Sequence, residues 1–201
     1  AYGMDSGIGW GDGHISPGSS AETREGGWSF IQKMASQIVG LETVEAISNI
    51  AKRMHKNKVA GSALIVALEM LKKSPFLDVP EDTRLPLLAP INGLKAKEIE
   101  FEIESKLAEG FRTFKIKVGK DADADLARLA IIQKVVNGRA TLRIDANRAY
   151  DLEQGIKFAS SLDPTGVELF EQPCASEDWE ANASVAEKSN VALMLDEPIC
   201  D

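Results

Sequence analysis

The sequence is poor in cysteine, with only Cys174 and Cys200 in 201 residues. Two thiols do not make a disulfide framework, so a reducing, cytoplasmic compartment is expected. No apolar run approaches the length that spans a bilayer, and no signal-peptide pattern opens the chain, so no membrane partner is expected. Basic residues are outnumbered as well: 23 Lys and Arg stand against 31 Asp and Glu, for a formal net charge of −8. A phosphate-binding surface needs clustered Lys and Arg, so no nucleic acid is expected as a partner either. Carboxylates gathered around a bound cation would account for part of the acidity. What remains, 44% hydrophobic and 27% charged residues, is the composition of a globular protein.

Two regions divide the chain, 1–84 and 85–201. The first reads as a short strand followed by helices. Gly7-Ile8-Gly9-Trp10-Gly11 is a Gly-rich strand end or turn without the Lys-Ser/Thr of a phosphate loop. Helical stripes follow at Ile31, Met34 and Ile38, at Val44, Ile47, Ala51 and Met54, and at Leu64, Leu68 and Leu71. Pro75, Pro80 and Pro86 then mark a linker. From Leu85 the rhythm changes, with strands expected at Leu85–Ile91, Phe111–Val118, Thr141–Ala146, Val167–Phe170 and Val191–Leu195. Amphipathic helices separate them, one opened by Asp151 with Gln154 three residues on as a capping box. Strands alternating with helices at this spacing predict an α/β fold with a parallel sheet. Periodicity does not choose between a doubly wound sheet and a barrel.

The strand ends are the informative positions. Buried parallel strands are apolar, yet these finish on Lys115 and Lys117, on Asp145 and Asn147, on Glu171, and on Asp196 and Glu197. Lys117, Asp145, Glu171 and Asp196 are 28, 26 and 25 residues apart, about one β/α unit of a barrel each time. In a closed barrel the C-terminal strand ends converge on one mouth, where the active site lies. Residues i and i+2 of a strand share a face, so Lys115 pairs with Lys117 and Asp145 with Asn147. Pro173 and Pro198 stop their strands just past the acids, because proline has no N–H for the ladder. Three convergent carboxylates repel unless a cation lies among them, and an all-oxygen set favours Mg²⁺ or Mn²⁺ over Zn²⁺. A second lysine and a nearby cation favour the neutral amine of Lys117, which suits a base that takes a proton next to a carboxylate.

With Lys115-Ile116-Lys117, Asp145-Ala146-Asn147, Glu171-Gln172-Pro173 and Asp196-Glu197 in this order, the chain resembles the enolase superfamily, closest to the muconate lactonizing enzyme subgroup of the mandelate racemase/muconate lactonizing enzyme family. Gly9-Trp10-Gly11, Glu22-Thr23 and Ala67-Leu68-Glu69 extend the resemblance into the first region. It implies the first five strands of a TIM-type (β/α) barrel, preceded by part of an α+β capping domain. It also implies Asp145, Glu171 and Asp196 as Mg ligands, Lys117 as acid/base catalyst with Lys115 beside it, and Asn147 and Glu197 as groups that orient ligand or substrate. The implied activity is that of an isomerase or lyase on a small carboxylate: cycloisomerisation, racemisation or epimerisation, or dehydration through an enolate. A homo-oligomer is the expected assembly.

The resemblance has departures. The opening strands of the capping domain would precede Ala1, and the opposite catalytic lysine would follow Asp196 by about one β/α unit, past Asp201. Gly11-Asp12 replaces the usual Gly-Glu. Five strands do not close a barrel, so a longer polypeptide is expected, and the alternative is a truncated, inactive module that self-associates through its sheet edges. A Schiff-base aldolase using Lys117 is a further alternative, although it leaves the carboxylates unexplained. Among the remaining residues, His14 lies in a Gly/Ser/Pro-rich stretch (12–27) that could cap a barrel mouth. His55 beside Lys52, Arg53 and Lys56 reads as a solvated helix end, and the two cysteines as inert thiols.

Overall fold

A computed structural model of the chain describes residues 2–4, 7–16, 21–79 and 81–199. They form two compact units, Ala1–Thr83 and Arg84–Asp201. Among the described residues no helix is long and apolar enough to cross a membrane.

The first unit opens with a two-stranded antiparallel ladder, β1 (Tyr2–Met4) and β2 (Gly7–Gly9). Three helices follow: α1 (Arg24–Ile38), α2 (Thr43–Ala51) and α3 (Lys58–Leu71). Thr23 caps α1 by accepting from the Gly26 N–H at 3.0 Å. The core joins Met34 and Ile38 of α1 to Ala46 and Ile50 of α2 and Leu68 of α3. On α2 the buried stripe is therefore displaced from the predicted one, and Val44 is exposed. The helix begins only at Thr43, and its inward face passes through Ala46 and Ile50, one turn apart.

The glycines of the opening segment have a packing role. A Cβ on Gly9 would lie 1.8 Å from the Ala67 carbonyl oxygen, one on Gly11 1.9 Å from that of Ala63, and one on Gly13 2.8 Å from the Val59 side chain. Two residues of extended chain advance about as far as four residues of helix. Alternate glycines therefore meet successive turns of α3, running antiparallel to it.

The second unit is a run of β/α units: β3 (Ala89–Ile91), α4 (Ala96–Ala108), β4 (Thr113–Lys117), α5 (Ala122–Val136), β5 (Thr141–Asp145), α6 (Leu152–Ser161), β6 (Val167–Glu171), α7 (Trp179–Lys188) and β7 (Ala192–Met194). The five strands lie in sequential order, every pair parallel, which is the β/α succession of a TIM-type barrel. Alternate strand residues Phe114, Ile116, Leu142, Ile144 and Phe170 are buried with Ile99, Ile103, Leu129, Ile132, Phe158 and Val185 of the helices. The first strand is shorter than predicted, starting at Ala89, and Leu85 and Leu87 are exposed. Pro86 and Pro90 have no N–H to donate to a ladder, which weakens pairing along this segment. Asp151 caps α6 by accepting from the Gln154 N–H at 2.8 Å, but the predicted box does not close on itself. The Gln154 side chain instead accepts from the Ala122 N–H at 2.9 Å, tying α6 to the start of α5.

Candidate metal and proton-transfer site

Hydrogen-bonded register aligns Lys117, Asp145, Glu171 and Met194 across four adjacent strands. Lys115 lies two residues before Lys117 on the same face of β4, opposite to the face carrying Phe114 and Ile116. The polar side chains therefore emerge together at the C-terminal end of the sheet, on the face turned away from the helices.

They interact directly. Lys115 Nζ is 2.8 Å from Asp145 Oδ2 and 2.8 Å from Glu171 Oε2, so the two carboxylate oxygens lie no farther apart than twice that distance. Asp145 is fully buried and Glu171 nearly so. Lys117 Nζ, on a half-exposed side chain, donates to both Asp145 and Asn147. Asn147 has left-handed backbone (φ 44°), and its N–H donates to Asp145 Oδ1 at 2.8 Å. Asp145 therefore has both oxygens engaged. Burial alone would raise its pKa, but Lys115, Lys117 and the Asn147 N–H together hold it below the ordinary aspartate value. At Lys115 burial opposes the charge, and the bonds to Asp145 and Glu171 outweigh it, so its pKa lies above that of an ordinary lysine. The ammonium of Lys115 is thus a persistent cation between two acids.

Asp196 stands apart from this pair. It is exposed and two residues past Met194, the residue in register with Glu171. Its N–H donates to Gln172 Oε1 at 2.9 Å. In a tilted, staggered sheet the level of the mouth climbs along successive strands relative to the hydrogen-bonded register, which is why the acid of β7 lies farther along than those of β5 and β6. Among the described residues no group of three His, Cys, Asp or Glu side chains converges as a metal site. Glu197 pairs with Arg148 Nε at 3.2 Å.

The donors present suit a hard divalent cation in their chemistry. Asp145 and Glu171 offer only oxygen, from neighbouring strands, and already share one positive charge in the Lys115 ammonium.

The loops behind the site are braced by residues that sequence reasoning passed over. Asp125, buried at the start of α5, accepts from the N–H groups of Gly119, Lys120 and Asp121 and from the Tyr150 hydroxyl at 2.7 Å. Burial and this bond raise the Tyr150 pKa well above the ordinary phenol value, so it remains a donor. Gly119 has φ +115°, and a Cβ there would lie 2.5 Å from that of Ala149, so the loops after β4 and β5 meet at a point only glycine allows. Asp125 had a sequence signal, an acid in the first turn of a helix after a glycine loop. Gln172 and Arg148 had none, because a neutral amide and a surface-type cation next to acids look ordinary in a sequence.

His14 is exposed and lines a cavity of about 270 Å³ in the first unit with Arg24 and Trp28, a cavity that holds none of the site residues above. Residues 17–20 of the stretch predicted to cap a barrel mouth lie outside the described residues, and from Arg24 the chain is already in α1. His55 is exposed in a single 3₁₀ turn. Cys174 is buried, and burial followed by Asp178 and Asp151 pushes its thiol up to about 11, while Cys200 lies outside the described residues.

Known proteins are similar to this chain in sequence and in fold. The hydrophobic dipeptide epimerase of Enterococcus faecalis is 28% identical over 96% of this chain and 57% of its own length. Muconate cycloisomerase 1 of Acinetobacter baylyi is 29% identical over 78% of this chain and 45% of its own. Among solved structures, a mandelate racemase/muconate lactonizing protein from Herpetosiphon aurantiacus superposes with a TM-score of 0.85 at 26% identity, covering 96% of this chain and 59% of that one. The E. faecalis dipeptide epimerase complexed with Mg and the dipeptide L-Leu-L-Tyr superposes with a TM-score of 0.84 at 28% identity, covering 96% and 57%. The chain thus spans somewhat more than half the length of most of these relatives. Residues 98–201 match the family described as Enolase C-terminal domain-like, and to that family this chain belongs.

Proposed function

We propose that the protein is a divalent-metal-dependent enzyme that takes the proton next to a substrate carboxylate, and that it acts as an epimerase of dipeptides. The observation that carries this reading is the contact network at the strand ends. Lys117 shares Asp145 with Lys115, which in turn reaches Glu171. Lys117 is the half-exposed lysine and so the one that can approach a substrate, whereas Lys115 is committed to two carboxylates. Asp145 and Glu171, with Asp196, would hold the cation, Mg²⁺ or Mn²⁺, and Asn147 and Glu197 would orient ligand or substrate. When bound, the cation supplies electrophilic stabilisation of the negative charge that develops on the substrate carboxylate. Lys117 accepts the α-proton, and Lys115 helps hold the neighbouring Asp145 ionised. In a dipeptide the proton next to the free carboxylate is that of the C-terminal residue, so this position would be inverted.

Dipeptides are favoured as the small carboxylate because two dipeptide epimerases match 96% of the chain at 28% identity, whereas a chloromuconate cycloisomerase matches the same share at 25%. A cytoplasmic homo-oligomer goes with the reading, and fractionation and light scattering check it. The full-length protein is to be incubated in D₂O with Mg²⁺ and a panel of L,L-dipeptides, and followed by NMR. Deuterium at the C-terminal α-carbon with the L,D-epimer is the expected result. Lactone formed from muconate, with dipeptides untouched, would replace epimerase by cycloisomerase. Borohydride trapping of a carbonyl substrate on Lys117 would replace the whole reading by a Schiff-base mechanism.

A further inference from the structure

Gln172 lies between Glu171 and Pro173, is fully buried, and has left-handed backbone (φ 37°). Its side chain spans two segments: Nε2 donates to the Cys174 carbonyl at 3.0 Å, and Oε1 accepts from the Asp196 N–H at 2.9 Å. Its main chain adds two more bonds, N–H to the Met194 carbonyl at 2.8 Å and carbonyl from the Arg148 N–H at 2.9 Å. Arg148, also left-handed (φ 68°), reaches Glu197 through Nε. The segments that follow β5, β6 and β7 are therefore joined at one residue.

Such a residue is costly in this place. A buried amide gives up hydration and rotamer freedom, and a side chain in the left-handed region is strained relative to glycine. The strand ladder ends at Met194, so it does not constrain Asp196. What holds the Asp196 N–H is the Gln172 amide oxygen. With the main chain fixed there, the exposed carboxylate has only its own side-chain torsions left to select.

We propose that Gln172 is a positioning residue: through its bond to the Asp196 N–H it fixes the end of β7, so that the Asp196 carboxylate is presented to a divalent cation held by Asp145 and Glu171. The inference rests on the metal-site reading above. Residues that orient ligands typically change metal affinity by about 10–100-fold when altered. Gln172→Met keeps the bulk and removes both polar bonds. Gln172→Asn tolerates left-handed backbone, but its amide is one methylene too short to span the two segments.

The test is Mn²⁺ affinity of the full-length protein, read as loss of the free-ion EPR signal, with thermal melting in EDTA alongside. Expected is a loss of about 10–100-fold for Gln172→Met, and for Gln172→Asn if the first variant does not fold. On an Asp196→Asn background the same change should cost no more than about twofold further, because its route to the metal is already removed. Equal losses on both backgrounds would show a merely structural role and overturn the proposal. So would affinity within about twofold of wild type in both Gln172 variants while Asp196→Asn alone is weakened. Undiminished Mn²⁺ binding by Asp196→Asn would remove the metal-site reading itself, and this proposal with it.

Discussion

In residues 1–83 the chain approaches itself where side chains are missing, and in residues 84–201 charged side chains gather where they would be least expected. The first unit lays Gly9 and Gly11 against carbonyl oxygens of α3, leaving no room for a methyl group. The second unit buries two carboxylates, bridged by a partly buried lysine, at the ends of strands whose other face carries the apolar core. In the first case the energy is in packing, and the sequence requirement is an absence. In the second, ion pairs offset the desolvation of charge, and that arrangement is hard to keep unless the charges are used.

The largest effect is expected from breaking the packing. Gly11→Val would put Cβ 1.9 Å from the Ala63 carbonyl oxygen, where a backbone atom, not a flexible side chain, has to yield. Loss of more than about 4 kcal/mol, or failure of the first unit to fold, is expected in chemical denaturation. Gly138→Ala is the control: it has φ +73° but open space around it, so only the backbone cost of about 1 kcal/mol should appear. Equal effects at the two glycines would remove the packing argument.

Next comes the ion-pair network. Lys115→Met leaves the buried Asp145 without its bridging cation, and stability without added metal should fall by about 2–4 kcal/mol, at or below the range for a fully buried pair because Lys115 is partly exposed. The pH dependence has a definite sign. Asp145 has a depressed pKa in the folded protein, so its contribution is present above the ordinary aspartate range and is lost as pH falls through the lowered value. Lys115→Met should flatten that acid limb in urea midpoints measured across pH. An unchanged limb would mean that other carboxylates carry it.

The two units also differ in how far a sequence can be read. The β/α alternation, the helices over Ile99–Ile103 and Leu129–Ile132, and the polar residues at the ends of β4, β5 and β6 were visible because period-2 and period-3.6 patterns switch cleanly there. Glycine spacing in the first unit was visible only as a turn, because the helix it meets lies about fifty residues away in the chain. The stagger that places Asp196 two residues past the register of Glu171 was not legible, since stagger belongs to the tilt of strands and not to any one segment. Nor were Gln172 and Arg148, whose role consists of bonds between loops.

The smallest effect concerns Cys174. Its buried thiol, pushed up to about 11, should resist alkylation at neutral pH in the native protein and react on unfolding, as peptide mapping by mass spectrometry would show. Rapid native labelling at Cys174 would mean that the region beside β6 opens far more readily than its packing implies.

In the proton-transfer site proposed at the strand ends, Lys117 is the base. The most direct measurement compares wild type with Lys117→Ala, in the full-length protein, for exchange of the substrate α-hydrogen in D₂O, with Mn²⁺ affinity measured in parallel. The expected result is exchange reduced by at least about 10³-fold with metal affinity within a few-fold of wild type. Exchange that persists in Lys117→Ala at near the wild-type rate would contradict the account.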